Sequence, residues 1–367
     1  MLLSSLDGVA IGSVRIDQVQ HEFSTIPGMR EDTIEFLLNV KEVRLKPISS
    51  KLGTLSLNKK GAGEITAADL QVPPDYELVN PDLHLGTLDG KVALITGAGG
   101  MRGVGRATAL KLASQGASLA ITDVQRPASD LPPAELRQEW KSIESVSDEI
   151  RELGANTFHV YADLGKSEEI QSMVEQVVSH YGRLDILINN ARAVIGKDKV
   201  PVTELDESVW HHFLNINTTA VFLCTKFGAL HMIKQGDGGR IINIASNASK
   251  QASAMGAAYS SSKFAVLGLT QASALDLAPH QITVNAVCPG PINTDRMSYW
   301  ELSEAEAKGI TLEEFRSQIV QQAGQNTPLG RIAESEDVAN MVSFLASDES
   351  NFITGQAYNV NGGLLFH

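Results

Sequence analysis

The sequence predicts an α/β protein: seven parallel strands form a doubly wound sheet with helices on both faces, preceded by a small α+β segment. From residue 90 onward, short apolar runs alternate with stretches of helical period, which is typical of β-α-β units around a parallel sheet. Before about residue 86 this alternation is absent, and a proline-containing link follows. The chain is therefore predicted to divide into an N-terminal segment, residues 1–86, and a larger domain, residues 87–367.

The predicted elements of the larger domain alternate along the chain. Strands are predicted from apolar runs at residues 92–95, 118–121, 157–161, 184–188, 240–244, 282–287 and 356–360. Helices are predicted at residues 105–115, 139–153, 168–181, 207–232, 258–277 and 335–346. In the N-terminal segment, Val14 and Ile16 lie in one strand-like run, Leu52 and Leu57 in another, and residues 32–40 are predicted as a short helix. Ligands of a doubly wound sheet bind beyond the carboxyl ends of its strands, so the functional site is expected there.

The composition is that of an ordinary globular protein and excludes several function classes. Of 367 residues 43% are hydrophobic, and 43 acidic against 30 basic residues give a net charge of −13. This charge repels a phosphate backbone, and 5% aromatic residues leave few stacking platforms. No apolar run approaches the roughly 20 residues of a membrane span. We therefore expect no nucleic-acid partner and no membrane association.

The cysteine and histidine content argues against a disulfide framework and against a metal site. Cys224 and Cys288 are the two cysteines, and no zinc-type spacing occurs. We expect His211 and His212 on a helix surface, and Cys288 as a small buried hydrophobic residue. The start of the chain lacks the basic and apolar pattern of a targeting segment. These observations predict a cytoplasmic protein that holds no metal.

A glycine-rich turn follows the first strand of the larger domain and leads directly into a helix. Its candidate cofactor-binding residues are Thr96, Gly97, Gly99, Arg102, Gly103, Val104 and Gly105. Glycines allow the backbone to approach a pyrophosphate, and a helix N-terminus offers N–H groups and a favourable dipole. Asp123 ends the second strand, 18 residues after Gly105, where a carboxylate binds ribose hydroxyls and repels a 2′-phosphate. NAD is therefore favoured over NADP, although Arg102 could pair with a 2′-phosphate.

Four polar residues form a candidate catalytic set. Tyr259 and Lys263 are four residues apart at the start of a predicted helix, so both lie on one helix face. A tyrosine of pKa about 10 is a poor base at neutral pH, but a neighbouring ammonium group and a helix N-terminus stabilise its phenolate. Ser246 ends a strand 13 residues before Tyr259, where it can bind a substrate oxygen, and Asn217 lies in the preceding helix.

With these motifs, residues 87–367 resemble the short-chain dehydrogenase/reductase family, whose fold is a Rossmann-like sheet. The resemblance implies that Tyr259 is the general acid/base, Ser246 orients the carbonyl, Lys263 holds the nicotinamide ribose and Asn217 holds a water. It also implies NAD(P) as cofactor, a small-molecule alcohol or ketone as substrate, and a homotetramer. Further cofactor-binding residues implied by the family's motifs are Asp163 at the adenine, Asn190 at the adenosine ribose, Ile292 and Thr294 at the carboxamide, together with Leu164, Ala191, Pro289 and Gly290.

The sequence departs from the family pattern in three places. Five residues separate Gly97 from Gly103, where the family has three, and this wider spacing resembles enoyl reductases. Arg192 replaces the glycine of the Asn-Asn-Ala-Gly motif, and would either contact an acidic substrate or, as we favour, point to the surface. An insertion at residues 125–139 is expected to fold over the adenine and slow cofactor exchange. The segment between Thr294 and Pro328 is expected to be the substrate lid.

Residues 1–86 resemble a fragment of the amino-terminal domain of the bacterial RNA polymerase α subunit, and we interpret the chain as a fusion protein. The matching motifs include Pro27-Gly28 and the run from Leu37 to Glu42. Two alternatives to an alcohol or ketone dehydrogenase remain open. One is a non-catalytic NAD-binding regulator or scaffold linked to RNA polymerase, and the other is an enoyl-type reductase.

Overall fold

The computed structural model describes residues 45–47, 55–57, 67, 70–74, 76–78, 88–126, 135–136, 138–194, 197–294 and 299–367. The backbone falls into two compact units, Met1–Gly90 with Ser114–Ala117, and Lys91–Ala113 with Ser118–His367. The boundary that the sequence predicts between residues 86 and 87 stays a prediction.

The described residues of the first unit form two small antiparallel strand pairs. Strand β1 (Leu45–Pro47) pairs with β4 (Tyr76–Leu78), and β2 (Ser56–Leu57) pairs with β3 (Leu70–Gln71). The β2 pairing agrees with the strand-like run predicted at its position. The strand predicted at Val14 and the helix predicted at 32–40 lie outside the described residues.

A seven-stranded sheet forms the centre of the second unit, and every adjacent pair of its strands is parallel. The strands are β5 (Val92–Thr96), β6 (Ser118–Asp123), β7 (Thr157–Tyr161), β8 (Ile186–Asn189), β9 (Gly239–Ile244), β10 (Ile282–Pro289) and β11 (Ala357–Val360). They are ordered β11-β10-β9-β8-β5-β6-β7. The predicted doubly wound sheet is therefore confirmed, and its strand ends differ from the predicted ends by at most two residues.

The strand order changes direction between β5 and β8. From β5 the chain adds β6 and β7 on one side, and β8 then lies on the other side of β5. A crevice forms at such a switch point beyond the carboxyl ends of the strands. The strands are near-continuous apolar runs because helices cover parallel sheets. In β5, Val92–Thr96, every residue is buried. This arrangement places the loops after β5, β8, β9 and β10 next to one another.

Nine α-helices lie within the described part of the second unit. They are α1 (Val104–Ser114), α2 (Ile143–Glu152), α3 (Ser167–Tyr181), α4 (Glu207–Leu214), α5 (Ala220–Gln235), α6 (Ala257–Leu277), α7 (Tyr299–Lys308), α8 (Leu312–Asn326) and α9 (Ser335–Ala346). Side chains of α3, α5 and the strands form a common core, which includes Met173, Cys224, Leu94 and Ile241.

Three helical features differ from the sequence predictions. The helix predicted at 207–232 is interrupted by a π-helical turn, Asn215–Thr219, that separates α4 from α5. Helix α2 begins at Ile143 rather than near residue 139, because Glu139 and Ser142 have positive φ angles that a helix does not accommodate. The segment predicted only as a lid contains α7 and α8. One extra residue in a helical turn hardly alters the apolar period, so the sequence does not reveal the π-turn.

Candidate active site

A cavity of about 230 Å³ opens beyond the carboxyl ends of β5, β8, β9 and β10. Twelve of the residues predicted from the sequence line it: Gly97, Arg102, Gly103, Val104, Asn190, Ser246, Tyr259, Lys263, Pro289, Gly290, Ile292 and Thr294. Residues that were not among the predicted cofactor-binding or catalytic set also line it: Gly100, Met101, Glu135, Arg192, Ile244 and Ala245. The structure thus brings the predicted cofactor-binding turn and three of the four predicted catalytic residues into one cavity.

The glycine-rich turn packs closely against the end of β8. Gly97 has a φ of +67°, and a Cβ at this position would lie 2.7 Å from Ala191 Cα. A Cβ on Gly105 would lie 2.6 Å from Gly97 O, so neither position has space for a side chain. Helix α1 begins at Val104, which lines the cavity. The turn therefore presents the helix N-terminus and its unpaired N–H groups to the cavity, as a phosphate-binding turn does.

Thr96 and Asn190 hold this turn in place. The hydroxyl of Thr96 accepts hydrogen bonds from the backbone N–H groups of Asn190 (3.0 Å) and Ala191 (3.1 Å). In return, the Asn190 side-chain amide donates to Thr96 O (2.9 Å) and Gly97 O (2.8 Å). Thr96 and Ala191 do not line the cavity, so their contribution within the described residues is to position the turn.

Asp123 is buried at the end of β6 and also supports the glycine-rich turn. One carboxylate oxygen, Oδ2, accepts the Gly99 N–H (2.8 Å), and the other, Oδ1, accepts the N–H of Val124 (2.8 Å). The Arg126 guanidinium lies 3.8 Å from Oδ2. The predicted acid thus stands beside the turn, with a cation close to it.

Asp163 and Leu164, which follow β7, also lie outside the cavity lining. The Asp163 side chain follows β7, accepts the Gly165 N–H (2.9 Å), and lies 3.5 Å from the Lys166 ammonium group. Leu164 packs into the core with Ile170 and Val174. Their predicted contacts with an adenine stay predictions.

Tyr259 and Lys263 lie on the first turns of α6 and face the same cavity. Lys263 is buried, and its ammonium group donates to Ile244 O at 2.7 Å. Burial, and to a smaller extent the positive charge of Arg192, lower the Lys263 pKa to about 7. The ring of Tyr259 meets the ring of Phe213 edge to face, with centroids 6.4 Å apart. Packing against Phe213 therefore fixes the ring of a tyrosine that lines the cavity.

The hydroxyl of Ser246 is fixed by a short turn at the end of β9. Its Oγ accepts the Ala248 N–H (3.1 Å), and its own N–H donates to Ser249 Oγ (3.1 Å). Because the Ser246 oxygen acts as an acceptor toward its own turn, its hydrogen can be donated to an oxygen inside the cavity.

Asn217 lies behind the cavity wall rather than on it. The π-turn directs its fully buried side chain inward, where Oδ1 accepts the Ala193 N–H (2.8 Å) and Nδ2 donates to Ser262 Oγ (2.9 Å). Ser262 in turn donates to Tyr259 O (2.7 Å). Asn217 is therefore positioned to connect the loop after β8 with the helix that carries Tyr259.

Two charged cavity residues change the sequence-based interpretation. The preference for a surface-pointing Arg192 is wrong, because this half-buried side chain lines the cavity together with Tyr259 and Lys263. In the insertion, Glu135 is buried and its Oε1 accepts the Met101 N–H (3.2 Å). The Trp140 indole donates to Gly99 O (2.8 Å). The described part of the insertion thus packs on the glycine-rich turn. The unusual length of this insertion was visible in the sequence, but no sequence feature identified Glu135 as a cavity residue.

The remaining candidates from the sequence are accounted for by packing. Cys224 and Cys288 are both free and buried, so the prediction that Cys288 is a small buried residue is confirmed. His211 contacts Glu207 on the surface of α4 (3.3 Å). Within the part of the chain that the structure describes, no cluster of three or more potential ligands could hold a metal ion. No described helix is both long and apolar enough to cross a membrane.

Comparisons with known proteins agree with this geometry. The family model described as enoyl-(acyl carrier protein) reductase matches residues 97–365. A short-chain dehydrogenase/reductase of Armillaria gallica is 38% identical over 76% of this chain and 97% of its own length. A 3-oxoacyl-[acyl-carrier-protein] reductase of Staphylococcus aureus is 34% identical over 75% of this chain and 98% of its own length.

Among solved structures, carveol dehydrogenase from Mycobacterium avium in complex with NAD has a TM-score of 0.64 and 30% identity, covering 76% of this chain and 99% of its own. Residues 14–122 match the family described as RNA polymerase Rpb3/RpoA insert domain, which supports the resemblance seen in the N-terminal segment. With its sheet order, its glycine-rich turn and its Ser246, Tyr259 and Lys263 in one cavity, the chain belongs to the short-chain dehydrogenase/reductase family.

Proposed function

We propose that this protein is an NAD-dependent oxidoreductase that transfers a hydride between nicotinamide and the carbinol or carbonyl carbon of a small alcohol or ketone. The observation that carries the proposal is the shared cavity: Ser246, Tyr259 and Lys263 face the same space as the glycine-rich turn. A nucleotide on the turn would therefore end next to the three side chains. Each of the three has a chemical property that carbonyl reduction requires.

The residues around the cavity fit a dinucleotide. A Cβ on Gly97 or Gly105 would fill space that the backbone needs, and the N-terminus of α1 offers donors to a diphosphate. Ile292 and Thr294 also line the cavity, and we propose that they hold the carboxamide. When bound, the nicotinamide supplies or accepts the hydride.

The chain's own residues supply the proton and the orientation. In the reduction direction, Tyr259 donates its proton to the carbonyl oxygen as the carbonyl carbon gains the hydride, and in oxidation it accepts that proton. Lys263, when charged, stabilises the tyrosine phenolate. Ser246 donates a hydrogen bond to the same oxygen and orients it. Asn217 connects the loop after β8 to the helix that carries Tyr259. It would also hold the water that links Lys263 to solvent.

NAD is the proposed cofactor because of Asp123. Its carboxylate is held in place by two backbone N–H groups, beside the turn where the adenosine ribose would lie. A fixed negative charge repels a 2′-phosphate, whereas Arg126, 3.8 Å away, and Arg102 oppose that repulsion. The solved carveol dehydrogenase complex contains NAD, which supports this choice for a relative of the same fold. An Asp123→Ser variant should lower the preference for NAD over NADP by about tenfold or more.

The insertion and the lid segment are proposed to control access to the cavity. Glu135 and Trp140 contact the glycine-rich turn, so movement of the insertion would accompany entry and release of the nucleotide. We propose that it slows cofactor exchange. An unchanged rate of NADH release after deletion of residues 127–134 would contradict this.

We also propose that the protein forms a homotetramer in the cytoplasm, and the exposed apolar side chains and the cysteines support this. Phe222 and Leu230 on α5 and Phe264 and Leu275 on α6 are large apolar residues that stay exposed in the single chain. Their burial in a homotetramer would remove this surface from water. Two free, buried cysteines fit a reducing compartment such as the cytoplasm. Sedimentation at micromolar concentration tests the tetramer.

The second candidate is an enoyl-type reductase. The five-residue separation of Gly97 from Gly103 and the description of the matching family model favour it. The four-residue spacing of Tyr259 and Lys263 and the presence of Ser246 support carbonyl chemistry instead. The third candidate, a non-catalytic regulator or scaffold linked to RNA polymerase, does not require the complete set of Ser246, Tyr259, Lys263 and Asn217.

One assay separates the three candidates. The full chain is incubated with NAD, NADP, NADH or NADPH and a panel of secondary alcohols, ketones, hydroxy acids, sterols and one conjugated enoyl thioester, and nicotinamide absorbance is followed. The proposal predicts turnover of at least one alcohol or ketone. Turnover of the thioester alone would establish the second candidate, and nucleotide binding without any turnover would favour the third.

A further inference from the structure

Arg192 brings a second positive charge to the reacting end of the cavity. It lies three residues beyond the end of β8 and lines the same cavity as Ser246, Tyr259 and Lys263. It occupies the position where the family's Asn-Asn-Ala-Gly motif has glycine, so the guanidinium is an addition to the common site.

The backbone around Arg192 is fixed. The next residue, Ala193, is buried and donates its N–H to Asn217 Oδ1 at 2.8 Å. Arg192 Nη1 donates to Ala193 O at 3.1 Å, which folds the side chain back over this anchored residue. The backbone that carries Arg192 is therefore anchored, and the guanidinium is bound to that backbone beside the cavity that the residue lines.

The charges nearby leave Arg192 without an anionic partner among the described residues. None of the ion pairs within 4.0 Å between described residues includes Arg192. The acid on the cavity lining, Glu135, is bound to the N–H of Met101 in the glycine-rich turn. The other charge close to Arg192 is the Lys263 ammonium group, whose pKa the arginine lowers. Arg192, Arg102 and, when it is protonated, Lys263 line this cavity, and their positive charges favour an anionic ligand there.

We propose that Arg192 is a specificity-determining residue that binds a carboxylate on the substrate, so that the physiological substrate is a keto acid or hydroxy acid. A guanidinium presents two parallel N–H groups that match a carboxylate. This inference rests on the proposed function, because it places the carboxylate beside the carbonyl that Ser246 and Tyr259 engage. The carboxylate is bound and is not changed by the reaction.

The cofactor diphosphate is a second anionic group that a guanidinium in this cavity could bind. The glycine-rich turn and the N-terminus of α1 already offer donors to that group. Arg192 lines the cavity together with Ser246, Tyr259 and Lys263, and its charge is close enough to Lys263 to lower the pKa of that lysine. The substrate is therefore the source we favour, and the experiment measures both.

The test uses matched ligand pairs. Acetoacetate, levulinate and 5-oxohexanoate, each beside its methyl ester, are titrated calorimetrically into the full chain in the presence of NAD⁺. The variants are Arg192→Gln, Arg192→Lys and, as a control, Arg151→Gln, which removes an exposed charge on α2. NADH affinity is measured for each by fluorescence, and turnover of the six ligands is followed with NADH.

The wild-type chain should bind at least one keto acid about 10- to 100-fold more tightly than the methyl ester of that acid. The Arg192→Gln variant should lose this preference for the acid. The Arg192→Lys variant should regain part of it. The Arg151→Gln control should keep the preference. The inference is overturned if the wild-type chain binds acids and esters equally, if the preference survives in Arg192→Gln, or if that variant loses NADH affinity by the same factor. Selective binding without turnover would contradict the proposed function alone, whereas turnover without selectivity would contradict the inference alone.

Discussion

The backbone N–H of Ala193 donates a 2.8 Å hydrogen bond to the side-chain oxygen of Asn217, and both residues are buried. This bond joins the loop after β8, which carries Asn190 and Arg192, to the π-turn between α4 and α5. Through Ser262, the same asparagine reaches the carbonyl of Tyr259. A residue without exposure to the cavity thus links both walls of the site.

Replacing Asn217 with alanine should weaken both the fold and turnover. The change leaves the Ala193 N–H and the Ser262 hydroxyl without this partner in a buried place, which costs about 2–4 kcal/mol of unfolding free energy. Because Tyr259 loses a support, kcat should fall about 10- to 100-fold. Denaturant unfolding and nicotinamide absorbance measure the two effects. As a control, Thr218→Val removes one bond from the same turn to Ser262 O and should cost about 1 kcal/mol with turnover kept. Equal kcat losses in the two variants would contradict the special role of Asn217.

The buried Lys263 should make stability depend on pH. Its folded pKa of about 7 is below the ordinary value of 10.5, so between these values the unfolded chain binds a proton that the folded chain does not. The unfolding free energy should therefore rise with pH across this window, by about 2 kcal/mol between pH 7.5 and 9. The measurement is the difference between the wild-type protein and Lys263→Met, each unfolded at several pH values.

Cys224 contributes with the opposite sign, since burial raises the pKa of its thiol to about 12. The unfolded chain loses that proton at lower pH than the folded chain, so stability falls as pH rises. Because this contribution is present in both proteins, it cancels in the difference. A difference that stayed constant from pH 7.5 to 9 would show that Lys263 keeps its ordinary pKa.

Gly97 should tolerate no side chain, because its φ is positive and it closely approaches Ala191. Gly97→Ala should cost more stability than Gly182→Ala, since Gly182 has a φ of +76° but nothing within 4 Å of its added Cβ. The control carries only the left-handed cost of about 1–2 kcal/mol, whereas Gly97→Ala adds about 1–3 kcal/mol from the overlap. NADH affinity should fall in Gly97→Ala and stay unchanged in the control. Similar losses of stability in both variants would mean that the backbone near Ala191 moves to accommodate the added methyl group at little cost.

Glu135 should oppose binding of the cofactor diphosphate. Its carboxylate occupies a backbone N–H of the glycine-rich turn and carries a buried negative charge at the cavity. Glu135→Gln keeps the shape and removes the charge, so the Kd for NADH should decrease about threefold to tenfold. Glu139→Gln removes an exposed charge from the same segment and should change the Kd by less than twofold. Weaker NADH binding in Glu135→Gln would mean that the carboxylate supports the turn.

The sequence predicts most of the sheet because parallel strands need apolar runs that are visible directly, as in Val92–Thr96. It also predicts Tyr259 and Lys263 at the cavity, since a four-residue spacing fixes a common helix face. It does not predict the π-turn at Asn217, because one extra residue leaves the apolar period intact. Nor does it predict Arg192 or Glu135 in the cavity, because these placements depend on long-range hydrogen bonds: Ala193, next to Arg192, binds Asn217, and Glu135 binds Met101. Helices α7 and α8, in the segment expected to be a lid, were not predicted from the sequence, because these helices have a weak apolar period.

The most direct test of the proposed chemistry is Tyr259→Phe, assayed with the best substrate of the panel and compared with Tyr181→Phe. The tyrosine ring keeps its packing against Phe213, and only the hydroxyl is removed. Tyr181→Phe removes a hydroxyl that donates to Leu119 O, in the core of the second unit, and should keep its turnover. For Tyr259→Phe we predict that kcat falls about 10²- to 10⁴-fold while the Kd for NADH stays within twofold. A kcat within threefold of wild type would contradict the assignment of Tyr259 as the acid and base of the reaction.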